Sequence, residues 1–241
     1  MKAMIFAAGL GTRLKPLTDT MPKALVPVGG KPLLYHVLTK LVTAGYDDIT
    51  VNVHHFSDQI IKYLQENDFG VGISISEERD LLLETGGGIK HARPFLDGEE
   101  PFLVHNVDIL SDLDLGWFRG VHRPGDLATL LVSERKTQRY LLFDDDSLLC
   151  GWTNIATGEV RSPRGDIAPK EYKMLAFSGI HYISPSIFAA FNRYGFGERF
   201  SIMDFYLTAC ADYPIRAAVP GGLRLLDVGK LDSLALAESF V

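Results

Sequence analysis

Four short, nearly continuous apolar runs divide the first half of the chain, at residues 2–7, 49–53, 71–76 and 102–107. Runs of that length with little alternation suit strands buried on both faces. Between them the spacing changes. Leu33, Leu34, Val37, Leu38, Leu41 and Val42 recur at helical intervals and stop at Gly45. Residues 57–66 predict a second helix, and "LETGGGI" leads into a third that ends near Pro94. This alternation commits the chain to an α/β fold: a largely parallel sheet covered by helices on both faces, with residues 102–107 near its centre.

Beyond residue 120 the pattern shifts to short strands at 127–133, 140–143, 148–152 and 159–161, separated by "DDDS" and "NIATG". These read as hairpins, an antiparallel section or lid over about residues 127–172. A strand at "LAFSGIHYI" follows, then helices near 185–191 and 201–212, strands at 215–219 and 223–227, and a closing helix at 231–240. No repeat or linker interrupts the chain, so a single domain over residues 1–241 is expected.

The formal net charge of −6 argues against nucleic acid or an anionic membrane as partner. No apolar run approaches the length of a membrane span, and no basic-then-apolar leader opens the sequence. Cys150 and Cys210 lie far apart among apolar residues and read as free, buried thiols. The cytoplasm is the expected compartment, with the protein a monomer or homodimer. Any anion site on this acidic chain must be a local concentration of positive groups.

One stretch supplies it. "FAAGLGTRLKPLTDTMPKALVPVGGKP" follows the first strand and mixes glycine, proline and cations. It lacks the third glycine of a dinucleotide fingerprint, since Leu14 stands there, and it lacks the Gly-Lys-Ser/Thr end of a Walker A loop. Gly9 and Gly11 let backbone N–H groups approach phosphate oxygens. Arg13 offers a planar fork and Lys23 a compact charge. Prolines 16, 22 and 27 reduce the loop's freedom and hence the entropy lost when it orders over a ligand. The blander reading is a turn with solvated cations.

"AAGLGTRLKPLTDTMPKALVPVGGKPLL" resembles the signature of the sugar-1-phosphate nucleotidyltransferases, and "LETGGGI", "HNVDIL", "FSGIHYISPSIF" and "LLDVGKLDSLALAESF" extend the similarity along the chain. Among subfamilies, the bacterial N-acetylmuramate-1-phosphate uridylyltransferases of cell-wall recycling are the most similar. The resemblance implies a Rossmann-like nucleotidyltransferase fold and attack by a sugar 1-phosphate on the α-phosphorus of a nucleoside triphosphate, with pyrophosphate leaving. It further implies that Ala8, Gly9, Gly11 and Thr12 line the triphosphate, that Arg13 stabilises the leaving pyrophosphate, and that Lys23 sits on phosphates at the reacting centre. Glu84, Gly86 and Gly87 would face the base or ribose. Asn106 would lie beside the metal, and Ser178 and Gly179 near the hexose.

Asp108 and Asp227 each follow an apolar strand, where open α/β sheets place ligands. Two carboxylates meeting there can share one Mg²⁺, and the resemblance makes them its ligands, with Asp108 catalytic. The chain departs from the family at Val107, where glycine is usual, and lacks the Glu-Lys-Pro element whose lysine contacts the sugar phosphate. Arg135 or Arg139 are the candidates to stand in, and the sequence does not choose between them. His54, His55 and His105 lack metal-ligand spacing, and residues 144–146 read as a polar turn. UTP with N-acetylmuramate 1-phosphate is the expected pair. A mannose- or heptose-1-phosphate guanylyltransferase, a phosphocholine cytidylyltransferase and a non-catalytic nucleotide-sugar sensor stay open.

Overall fold

The computed structural model describes residues 1–240. In chain order it contains β1 (Lys2–Phe6), a two-residue ladder of β2 (Pro27–Val28) and β3 (Lys31–Pro32), α1 (Leu33–Thr43), β4 (Asp48–Val53), α2 (Ser57–Glu66), β5 (Gly72–Glu77), α3 (Glu84–His91) and α4 (Arg93–Leu96). Next come β6 (Phe102–Asn106), β7 (Ile109–Ser111), α5 (Leu115–Gly120), β8 (Ala128–Ser133), β9 (Arg139–Phe143), β10 (Leu149–Asn154) and β11 (Glu159–Arg161). The chain closes with β12 (Lys173–Ile183), α6 (Ile187–Arg193), α7 (Ile202–Ala209), β13 (Ile215–Ala218), β14 (Leu225–Asp227) and α8 (Leu231–Glu238).

β6, β1, β4 and β5 lie side by side and parallel, as the apolar runs predict. Each β1 side chain goes to the face opposite its neighbour's. Ala3 and Ile5 join a core under α1 and α2, while Met4 joins a second core shared with α3, α6 and α7. α1 buries Leu33, Leu34, Val37, Leu38 and Leu41, the stripe read from the sequence, and ends at Gly45 with φ +87°.

β12 is the organising strand of the second half. One edge pairs antiparallel with β6, and the other pairs with β8 over residues 176–183 and with β9 over residues 173–175. The expected hairpin section therefore divides. β8 is a buried strand of the main sheet, parallel to β13, while β9, β10 and β11 form an antiparallel meander.

Besides the short β2–β3 ladder, two further elements were not expected. β7 pairs with β14, its partner more than a hundred residues later in the chain. α5 starts at Asp114, whose Oδ1 accepts a 3.0 Å hydrogen bond from the Trp117 amide. The chain order reverses beside β1: α1 leads outward to β4 and β5, and the chain then returns to β6 on the other side. The carboxyl ends of β1 and β6 thus flank a topological switch point, where open sheets form their ligand crevice.

Candidate active site

A cleft of about 430 Å³ opens at that switch point. Its walls include Ala7, Ala8 and Gly9 after β1, Asn106, Val107 and Asp108 after β6, and Glu84 and Thr85 at the start of α3. Lys23 closes one side, its Nζ donating to Asp108 Oδ2; both side chains are largely buried.

The glycine loop owes its shape to internal bonds. Gly11 has φ +64°, and its carbonyl accepts from Thr18 Oγ1 and from the Leu14 amide, each at 2.8 Å. A Cβ on Gly11 would lie 2.8 Å from Thr18 Cγ2, so only glycine fits. Gly9 differs: nothing lies within 4 Å of where its Cβ would be, because that side of the backbone faces the cleft. Thr12 and Arg13 follow in a short 3₁₀ turn.

The backbones that carry the two aspartates are paired. β7 and β14 place Asp227 opposite Ile109, and the Val228 amide donates to the Asp108 carbonyl at 2.8 Å. Arg13 joins from the other side. A Cβ on Gly229 would sit 2.6 Å from both Arg13 Nη2 and Asp227 Oδ1, so that glycine leaves the room these two groups occupy. Among the described residues no group of three or more His, Cys, Asp or Glu side chains gathers as a metal site.

Val107, which replaces the usual glycine, is accommodated without strain. It is absent from the positive-φ positions, its amide donates to the Phe6 carbonyl at 3.1 Å, and its buried side chain lines the cleft floor. Glu84 carries the strain instead. It holds φ +62° at the start of α3 and accepts from Arg199 Nε at 3.1 Å.

Gly86 and Gly87 serve another purpose than the one expected from "LETGGGI". They lie inside α3, and their first-turn amides, which the helix leaves unpaired, both donate to the Phe200 carbonyl at 2.9 and 3.2 Å. A Cβ on Gly86 would lie 2.3 Å from the Phe200 ring, and one on Gly87 2.1 Å from the Glu198 carbonyl oxygen. The glycines thus let α3 lie against residues 198–200, and their amides have no bond left for a base. Glu84 and Thr85 are the members of the motif that reach the cleft.

Beside the cleft, β12 carries a bulge between Phe177 and His181. Gly179 sits in it with φ +75°, and its Cβ would lie 2.8 Å from Asn106 Nδ2. Asn106 lines the cleft; Ser178 is buried, with its Oγ lacking a hydrogen-bond partner among the described residues. A second opening of about 660 Å³ adjoins the first through Ser201 and is lined by Arg13, Asp227, Arg135, Arg139 and Phe177.

Sequence reasoning missed the brace beneath the cleft. Buried Asn52 accepts from the Ala7 amide at 2.8 Å and donates to Glu78 Oε1 at 2.7 Å, while Glu78 Oε2 accepts from the Leu83 amide at 2.9 Å. The loop after β1 and the start of α3 are thereby tied through two side chains. The available signal was a polar residue inside the apolar run "ITVNV".

The histidines are structural. His54 Nδ1 bonds the Glu78 carbonyl, and His105 Nδ1 the Asn106 carbonyl at 2.8 Å. His181 meets Tyr206 Oη at 2.7 Å. Burial pushes His105 down to about 4 and His181 to about 3, so both stay neutral in the fold at pH 7. Residues 144–146 form the polar turn expected, with Asp144 Oδ1 accepting from the Leu148 amide at 2.8 Å, and both cysteines are free and buried.

Residues 2–140 match the nucleotidyl transferase family. The chain belongs to that family. Along its length this nucleotidyltransferase is 35% identical to the N-acetylmuramate alpha-1-phosphate uridylyltransferase of Caulobacter vibrioides, over 98% of the chain and 95% of the relative. The Neisseria meningitidis enzyme of the same name is 49% identical over 47% of the chain and 49% of its own length. In fold, the nucleotidyltransferase superposes on HddC of Yersinia pseudotuberculosis with a TM-score of 0.77, at 24% identity, over 99% of this chain and 98% of that one. No helix among the described residues is long and apolar enough to cross a membrane.

Proposed function

We propose that this chain transfers the uridylyl group of UTP to N-acetylmuramate 1-phosphate and releases pyrophosphate. The observation that carries the reading is the convergence of Lys23, Asp108, Asp227 and Arg13 beside the open backbone of Gly9. Cations and carboxylates this near to one another suit phosphate groups and a cation that accompanies them. The likeness to the Caulobacter uridylyltransferase over nearly the whole chain supports the choice of base and sugar, and cell-wall recycling is the setting that goes with it.

In this reading the backbone of Ala8–Thr12 holds the triphosphate against the mouth of β1. An oxygen of the sugar phosphate attacks the α-phosphorus, the bond to the bridging oxygen of the β-phosphate breaks, and pyrophosphate departs toward Arg13. Lys23 moves its positive charge from Asp108 to the phosphates as they arrive. The protein's work is alignment and charge neutralisation.

Magnesium fits the donor set, since Asp108 and Asp227 are hard oxygen donors and Asp108 already holds a cationic partner in Lys23. When bound, it would neutralise charge shared between the α-phosphate and the leaving group. In this reading Glu84 and Thr85, which line the cleft, meet the base. A second reading has one observation in its favour: the Glu84 carboxylate at the cleft wall can accept two donors from guanine as well as one from uracil. Pyrophosphate release across the common nucleoside triphosphates, each paired with a panel of sugar 1-phosphates and phosphocholine, tests the assignment. Preference for GTP with mannose or heptose 1-phosphate would replace it, and no release with any pair would mark a sensor.

A further inference from the structure

The second opening carries more positive charge than a sugar phosphate needs. Its walls hold five cationic side chains, Arg13, Arg135, Arg139, Arg161 and Lys230, against two anionic ones, Asp204 and Asp227. Arg161 is already paired with Asp204 at 2.8 Å. Asp227 offsets one further charge, and a phosphate monoester brings about −2 at most. One positive charge remains without a counterpart.

The remaining charge is localised by the sheet. Leu141, Trp152 and Arg161 face one another across β9, β10 and β11 in register, so they share one face of the meander. Arg139 stands two residues before Leu141 on β9 and projects to that same face. Among the described residues Arg139 has no ion-pair partner. Arg135 is anchored by one bond, from Nη2 to the Phe177 carbonyl at 3.0 Å, which leaves its other donors for a ligand. Arg13, Asp227 and Lys230 line the opening as well, where it meets the phosphate site. Trp152 and Phe177 supply apolar surface of the kind that packs on a pyranose ring.

We propose that this cleft selects sugar 1-phosphates that carry an additional carboxylate, and that Arg135 and Arg139 are the residues that read it. A guanidinium fork matches a carboxylate with two parallel hydrogen bonds, which an ammonium cannot do. The inference rests on the transferase reading above and adds to it the residues that distinguish an acidic from a neutral acceptor. It also gives Arg135 and Arg139 a role other than replacing the lysine that contacts the shared 1-phosphate.

The test uses two acceptors that share ring, acetamide and phosphate and differ in the lactyl carboxylate, N-acetylmuramate 1-phosphate and N-acetylglucosamine 1-phosphate. kcat/KM for each is measured with UTP in the wild type, Arg139→Gln and Arg135→Gln, and dissociation constants for each are measured by calorimetry. The wild type is expected to prefer the acid. Each substitution should lower the acid-to-neutral ratio about tenfold, the scale of one exposed charge-assisted bond. Equal losses with both acceptors would show that the arginines hold the shared phosphate and would overturn the proposal, as would a wild type without preference. If no acceptor is turned over, the transferase reading falls, and the ratio of dissociation constants still decides whether the arginines read a carboxylate.

Discussion

The carbonyl of Asp108 accepts a 2.8 Å hydrogen bond from the amide of Val228, which follows Asp227 in the chain. A backbone bond between segments 120 residues apart thus brings the main chains that carry the two carboxylates together. Neither aspartate's side chain is needed to hold the β7–β14 ladder. Asp108→Asn and Asp227→Asn should therefore each reduce turnover by roughly 10²–10³ while leaving the thermal midpoint within a few degrees. Scanning calorimetry beside a pyrophosphate-release assay checks both halves. Full turnover in either variant would remove that carboxylate from the reacting centre.

Arg13 stands beside Asp227 in the wall of the second opening. If its guanidinium answers charge that develops on the departing pyrophosphate, Arg13→Ala lowers kcat more than it raises KM. A change confined to KM would place Arg13 in ground-state binding alone.

Three glycines should respond to alanine in three ways. At Gly87 the new Cβ meets the Glu198 carbonyl oxygen at 2.1 Å, so the backbone must move, and a loss of about 3 kcal/mol or more is expected. At Gly9 the Cβ meets nothing, so stability should hold within ~0.5 kcal/mol while affinity for the triphosphate falls. At Gly229 the Cβ meets the far end of Arg13 and the Asp227 carboxylate, which can swing away. There the fold should persist and turnover drop. Urea midpoints and nucleotide titrations separate the three.

Glu84 pays for its position with a left-handed backbone. Glu84→Gly removes that strain and should raise stability by up to about 1 kcal/mol. It also removes the carboxylate from the cleft wall, so discrimination among nucleoside triphosphates should weaken. A gain in stability with unchanged nucleotide preference would mean that Glu84 does not read the base.

His105 and His181 set the acid limit of the fold. Burial lowers both, to about 4 and about 3, below the ordinary value of 6.5. The unfolded chain therefore binds more protons as pH falls below 6.5, and stability declines from there until the folded values are reached. At pH 5 each histidine should account for about 2 kcal/mol of lost stability. The thermal midpoint is expected to fall between pH 6.5 and 4.5, and His181→Gln should flatten that fall. A midpoint constant over this range would contradict the neutral, buried assignment.

Much of the fold was legible because its signals are local. Ser57–Glu66 emerges with the bounds read from the sequence, and the apolar stripe of α1 names its own buried face. The position of the glycine loop after β1 was legible too, whereas the bond from Thr18 that requires glycine at position 11 was not. What escaped depends on partners distant in sequence. β7 has three residues and exists because β14 pairs with it. Asn52 and Glu78 act through each other, 26 residues apart. Gly86 and Gly87 were misplaced for a different reason: a glycine that admits a ligand and one that admits the 198–200 backbone look the same in a sequence.

β12 joins the two halves of the catalytic surface asymmetrically. It pairs with β8 at five positions on either side of its bulge and with β9 through Lys173, Met174 and Leu175. The β9–β11 meander is held besides by the Ala217 amide on the Ser147 carbonyl, by Arg216 on the Asp146 carbonyl and by the Arg161–Asp204 pair. On the transferase reading, the wall that faces the sugar is a module fastened at a few points to the part of the sheet that handles the nucleotide. Exchange of residues 139–161 between members of the family offers evolution, or an engineer, a change of sugar without rebuilding the machinery that activates it.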